Sequence, residues 1–136
     1  MRYLGAILAI VFSCGMANAA EIDFSTVLLD VAGKPYKDCA AFDEKKTPPV
    51  CSEIIDLTLG RFAAGVLNAR QPNMTVQQLV ERGQLAMRLY KGGKQPASVD
   101  DVKMIKDALP ASNYPPLECY AAIQLLDPDS LAPKKP

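Results

Sequence analysis

The sequence predicts a mainly α-helical α+β fold, an N-terminal β-hairpin packed on a small bundle of about four helices, from three observations. Apolar residues recur at helical spacing in four segments between Thr58 and Leu126, each bounded by capping or breaking residues. The stretch Ile22 to Val31 is instead apolar, rich in β-branched residues, and runs into a Gly- and Pro-bearing turn. The length of 136 residues suits one domain, and no repeat or second domain divides the chain after its first nineteen residues.

Those nineteen residues read as an address. Met1-Arg2-Tyr3 is a short cationic start, and Leu4 to Phe12 is an apolar run of nine, the length of a signal-peptide core. It falls short of the about 20 residues that a membrane-spanning helix needs. Ala17-Asn18-Ala19 places small residues before a cleavage between Ala19 and Ala20, which predicts a bacterial periplasmic or secreted protein with no stable span after processing. Two other readings use the same residues. Val11-Phe12-Ser13-Cys14 resembles a lipoprotein box with Cys14 as the lipidated residue, although Phe12 is bulky for it. Translation from Met16 would instead leave a cytoplasmic protein.

The expected hairpin covers residues 22–39. Asp30 to Pro35 is its turn, with Gly33 able to take positive φ, and Tyr36 to Cys39 return as the second strand. Two strands alone are marginal in water, so they must lie on the helices. Residues 40–56, polar and Pro-bearing, read as a loop.

Thr58 caps a first helix over Leu59 to Ala69, with Leu59, Phe62, Ala63, Val66 and Leu67 inward and Arg61 and Asn68 facing away. Thr75 and Gln78 form a capping box opening a second, Val76 to Lys91. Its apolar stripe is Val76, Leu79, Val80, Ala86, Met87 and Tyr90, the face expected to meet the core. Gly83 lies within that stripe at a cost of about 1 kcal/mol against Ala, which points to a close helix crossing. Gly92-Gly93 stop the helix. Ser98 caps a third helix, Val99 to Leu109, with Asp100 and Asp101 matching its dipole. Pro115-Pro116 starts the fourth, which is apolar nearly all round and is expected to be the central, most buried one. Residues 129–136 read as a disordered tail.

Charge and composition exclude several functions. Lys+Arg and Asp+Glu stand at 15 each, without the cationic surplus that nucleic-acid or polybasic membrane binding requires. The chain has no His, which removes Ser-His and Cys-His nucleophile pairs and every imidazole metal ligand. Beyond Cys14, the cysteines are Cys39, Cys51 and Cys119. Cys39 and Cys51 bracket the polar segment CAAFDEKKTPPVC, whose ends can meet, so a disulfide between them is expected in an oxidising compartment. Cys119, in an apolar helix, reads as a buried inert thiol, with a bridge to Cys39 or Cys51 as the competing assignment. No CxxC motif supports zinc or redox chemistry.

Other candidates for chemistry give way to plainer readings. Asp100, Asp101 and Asp107 lack the glycine and closing Glu of an EF-hand loop. Lys91-Gly92-Gly93-Lys94 follows a helix and lacks the hydroxyl of a phosphate loop. Glu81 and Glu118 are the glutamates in helical segments and fit exposed positions, and Lys37 is the cation nearest Cys39. No catalytic residue, metal or cofactor is expected.

Several short blocks resemble a group of small phage- and prophage-encoded proteins of undetermined function. They are Ile22-Asp23-Phe24-Ser25 leading to Asp30-Val31-Ala32-Gly33-Lys34-Pro35, then Leu57-Thr58-Leu59-Gly60, Glu81-Arg82-Gly83-Gln84-Leu85-Ala86, Asp101-Val102-Lys103-Met104-Ile105-Lys106 and Leu125-Leu126-Asp127-Pro128. Members of that group begin near the Ile22 equivalent and lack the Cys39/Cys51 pair, so this chain departs from them at both features. The resemblance implies a structural, assembly or interaction role. The expectation is thus a non-enzymatic exported interaction or structural protein with a protein partner. The alternative is a prophage-derived assembly or virion-associated accessory protein acting in the cytoplasm from a Met16 start.

Overall fold

Thr58 opens the helix on which the fold is built. Its side chain accepts the Arg61 backbone N–H, and α1 (Leu59–Leu67) follows. The computed structural model describes residues 19–133 and 135. Within them, α1 buries Leu59, Gly60, Phe62, Ala63, Val66 and Leu67, and it contacts each of the other helices. These are α2 (Val76–Tyr90), α3 (Val99–Ala108) and α4 (Pro116–Leu126). The short α1, not α4, is the central helix. α4 buries Ala122, Ile123 and Leu126 but leaves Leu117 and Tyr120 exposed. An all-round apolar composition shows that a helix can be buried, but its neighbours decide how much of it is.

The caps stand where the residues place them. Thr75 and Gln78 make a reciprocal capping box at α2, and Ser98 and Asp101 make another at α3. Gly92 and Gly93, at φ 71° and 79°, end α2. Helices end one or two residues earlier than periodicity suggests, α1 at Leu67 and α3 at Ala108, where a 3-10 turn (Leu109–Ala111) continues. The expected tail begins with a second such turn, Pro128–Leu131. Ser130 secures it by donating its hydroxyl to the Asp127 carbonyl.

The strands differ most from expectation. β1 (Ala20–Asp23) pairs antiparallel with β4 (Lys94–Ala97), Ala20 opposite Ala97 and Asp23 opposite Lys94. The hairpin is formed by β2 (Lys37–Asp43) and β3 (Val50–Asp56): Lys37 to Cys39 are strand as expected, but the rest of both strands lies in residues 40–56, which were expected to be a loop. The Asp30 to Pro35 turn does form. The Asp30 carboxylate accepts the Ala32 and Lys34 backbone N–H groups, and Gly33 sits at φ 77°. Only single bridges flank it, Leu29 with Pro35 and Val27 with Thr58. Pro35 has no N–H to donate, so no ladder grows there. Asp23 ends β1 by accepting the Ser25 N–H. In the real hairpin, register shifts between Cys39 and Phe42 break the alternation by which the strand could be read.

The core joins Phe24, Leu28 and Leu57 to the α1 face, Leu85 and Leu89 of α2, Ile105 of α3 and Leu126 of α4. Together the elements make a mixed α+β fold with four helices and two two-stranded sheets among the described residues. No helix among them is long and apolar enough to cross a membrane. The apolar run, the lipobox Cys14 and Met16 lie outside the described residues, and Ala19 directly precedes β1.

Candidate functional site

Of the stripe expected to meet the core, Ala86 packs against it and the rest does not. α2 docks through Leu85 and Leu89, and most of its apolar stripe faces outward: Val76 is 77% exposed, Leu79 54% and Met87 66%. Gly83 is exposed as well, and a Cβ built on it would find nothing within 4 Å. The close helix crossing lies at Gly60 instead, whose Cβ position is 2.3 Å from the Leu89 carbonyl oxygen. Periodicity locates the apolar face of α2. It cannot show that the short aliphatic pair Leu85 and Leu89, on a different side of the helix, is the one α1 covers.

The C-terminal half of the stripe lines a groove of about 710 Å³ between α1 and α2. Gly83, Ala86, Met87 and Tyr90 come from α2, and Ala64 and Gly65 come from α1. Small residues on both helices keep the groove open. Tyr114 also lines it, with its ring 4.5 Å from that of Phe62, centroid to centroid, so the groove rests directly on the core. Burial, and then the nearby Asp38 and Glu118 charges, push the Tyr114 phenol above its ordinary value.

One end of the groove is polar and tightly wired. The Arg61 Nε donates to Asp38 of β2 at 2.7 Å, and its Nη1 donates to the Tyr90 hydroxyl at 2.6 Å. The same guanidinium lies 5.0 Å from the Tyr90 ring centroid, a cation–π contact. Its remaining nitrogen donates to the Cys39 carbonyl. Arg61, expected to face away, therefore ties β2, α1 and α2 together. Burial lowers its pKa, but its hydrogen bonds to Asp38 and Tyr90 and the Asp38 charge outweigh that and hold it above its ordinary value.

Cys39 and Cys51 are joined, with Cα atoms 5.8 Å apart, so the covalent staple sits one residue from Asp38. Cys119 is free and half-buried, and its thiol donates to the Tyr114 carbonyl. Burial and the adjacent Glu118 raise its pKa, which suits an inert thiol rather than a nucleophile.

The remaining candidates are scattered. Glu81 accepts from Gln77 one turn away, whereas Glu118 is half-buried at the start of α4, its pKa raised by burial and Asp38. Among the described residues, no hydrogen bond links the two. Asp101 serves the Ser98 cap and pairs with Arg88, Asp107 pairs with Lys103, and Lys37 pairs with Asp56. Gly93 is a junction, its N–H on the Ser25 hydroxyl and its carbonyl accepting from Phe24. No cluster of three or more His, Cys, Asp or Glu residues that could hold a metal occurs among the described residues.

The fold and groove define a small α+β protein with a stapled hairpin and an exposed apolar helix face. Comparison with protein-family models, curated proteins and solved structures returned no match.

Proposed function

We propose that this protein is a non-enzymatic interaction module, exported to the bacterial periplasm or exterior, whose protein partner docks on α2 and the adjoining groove. The observation that carries this reading is the outward stripe of Val76, Leu79, Val80 and Met87, continuous with a groove that ends in the Arg61 and Tyr90 side chains. A contiguous apolar face of this kind marks a contact surface more often than an accident of composition. Tyr and Arg are also the residue types that most often anchor partners. The Cys39–Cys51 bond supports an oxidising compartment, and the leader-like first nineteen residues supply a route to it.

The test is site-specific photo-crosslinking in the native bacterium, with the probe replacing Met87 or, as a control, exposed Lys103. A discrete adduct from Met87 and none from Lys103 is the expected result. Equal or absent labelling at both sites overturns the docking reading. Intact mass of the same material decides the compartment. A chain beginning at Ala20 that gains two hydrogens on reduction fits export. A chain beginning at Met16 with all thiols reduced rejects it and transfers the module to the phage-assembly reading.

A further inference from the structure

We propose that the partner of α2 is α2 of a second copy of this chain, packed antiparallel about a two-fold axis at Gly83. The proposal rests on the reading of the outer face of α2 as a protein-docking surface. Gly83 is the middle residue of the helix Val76–Tyr90. The stripe is symmetric about it: Val80 and Ala86 lie three residues away, Leu79 and Met87 four, and Val76 and Tyr90 seven. Offsets of three, four and seven fall on one helical face. An antiparallel copy therefore sets Leu79 against Met87, Val76 against Tyr90 and Val80 against the half-buried Ala86, with Gly83 facing Gly83. This is the self-complementarity a two-fold interface demands, where residue i meets j and j meets i.

The centre of the stripe suits a crossing. Gly83 has no side chain, and nothing stands within 4 Å of where one would begin, so a second backbone can approach there. The charges of α2 are disposed elsewhere. Arg88 is engaged with Asp101 and the Pro96 carbonyl, Arg82 with Gln71, and Glu81 with Gln77. Arg61 of α1, which holds Tyr90, is neutralised by Asp38, and Lys91, which follows the helix, is the charged residue of the α2 segment nearest the stripe. In an antiparallel pair the two copies of Lys91 stand at opposite ends, about 24 Å apart by helical rise. A parallel pair would bring them together and align the helix dipoles unfavourably.

The helix is about 22 Å long. A contact of that length falls at the small end of stable interfaces, below about 800 Å² per partner, so the dimer is a weak, concentration-dependent one.

Sedimentation equilibrium of the mature, disulfide-intact protein across the micromolar range tests the pairing. The mass is expected to rise from monomer to dimer with concentration. The Leu79→Glu/Met87→Glu double variant, altered only at exposed positions, should stay monomeric with an unchanged circular dichroism spectrum. Orientation is read by oxidative cross-linking in a Cys119→Ser background. Gly83→Cys should cross-link to itself, and Val76→Cys should cross-link to Tyr90→Cys but not to itself. A monomer at every concentration overturns the proposal, as does a dimer indifferent to Leu79→Glu/Met87→Glu, or Val76→Cys self-linking. If the protein is monomeric and Met87 still labels a different protein, the docking reading survives and the second copy fails. If Met87 labels nothing, both fail.

Discussion

The Gly60 α-carbon packs against the Leu89 carbonyl so closely that a methyl group there would stand 2.3 Å from the oxygen and 3.0 Å from the Phe24 carbonyl. Both obstacles are backbone, and the Gly60 N–H donates to Phe24, so no side chain can swing aside. Gly60→Ala is expected to destabilise by about 3 kcal/mol, at the upper end of overpacking effects. Gly83→Ala should have the opposite sign, since its site is open and helical, gaining about 1 kcal/mol in propensity. Urea unfolding of the two variants in dilute solution, where the monomer prevails, checks both signs.

The Asp38–Arg61 pair is the hinge between hairpin and helices. Both side chains are largely shielded, 31% and 19% exposed, and Arg61 also holds the Tyr90 hydroxyl. Asp38→Asn leaves the guanidinium without its counter-charge and should lower stability by roughly 1.5 kcal/mol, the low end of the scale for a hydrogen bond to a charged group, because Asp38 is part-exposed. Arg61→Lys should not rescue the loss, because an ammonium cannot reproduce the fork that reaches Asp38, Tyr90 and Cys39 together. Urea midpoints of the two variants should both fall below that of the parent.

Reduction of the Cys39–Cys51 bond should be felt at the groove as well as in the hairpin. The bond closes a loop with a sequence separation of 12. In the chain-entropy model its loss lowers stability by about 3 kcal/mol. Because Asp38 precedes Cys39 in β2, amide exchange should accelerate across Lys37–Asp43 and Val50–Asp56 and, to a smaller degree, around Arg61. The Ile105 region should keep its protection. Uniform acceleration would show that the hairpin is not a separate unit.

Two carboxylates give opposite pH signatures. Glu118 is raised above its ordinary 4.5 by burial and then by Asp38. Its contribution is present below the unfolded value and lost as pH rises through the folded one. Glu118→Gln should therefore be more stable than the parent at pH 7, with the gain gone once both are measured well below that value.

Asp127 is lowered from 3.8, chiefly by the hydrogen bond from Lys106. Its contribution is present above the unfolded value and lost as pH falls through the folded one. Asp127→Asn should be less stable than the parent at neutral pH and approach it in acid, as the pH falls through the lowered folded value. Thermal midpoints at the two pH values separate the cases.

Local chemistry was legible along the chain. Thr58, Thr75 with Gln78, Ser98 and Gly92-Gly93 place helix ends correctly because a cap is satisfied by residues within one turn of it, and Asp101, read as matching the dipole, also closes the Ser98 box. The Asp30 to Pro35 turn and the Cys39–Cys51 pair were readable for the same reason, short separation along the chain. The partners of the strands were not. β1 bonds to β4 across some seventy residues, and the bulged β2 hid the period that would have marked the true hairpin.

The candidate site was half legible. Val76, Leu79, Val80, Met87 and Tyr90 were recognised as one apolar face, but its direction was not. Periodicity records that a helix has an oily side and is silent on which neighbour covers it. Gly60 and Leu89 settle that question through backbone contact, a geometry with no counterpart in hydrophobic spacing. The amino acids alone determine where helices begin and end and which thiols can meet. Long-range packing, by seating α2 on α1 through Leu85 and Leu89, turns the remaining apolar face out to solvent and makes it a surface.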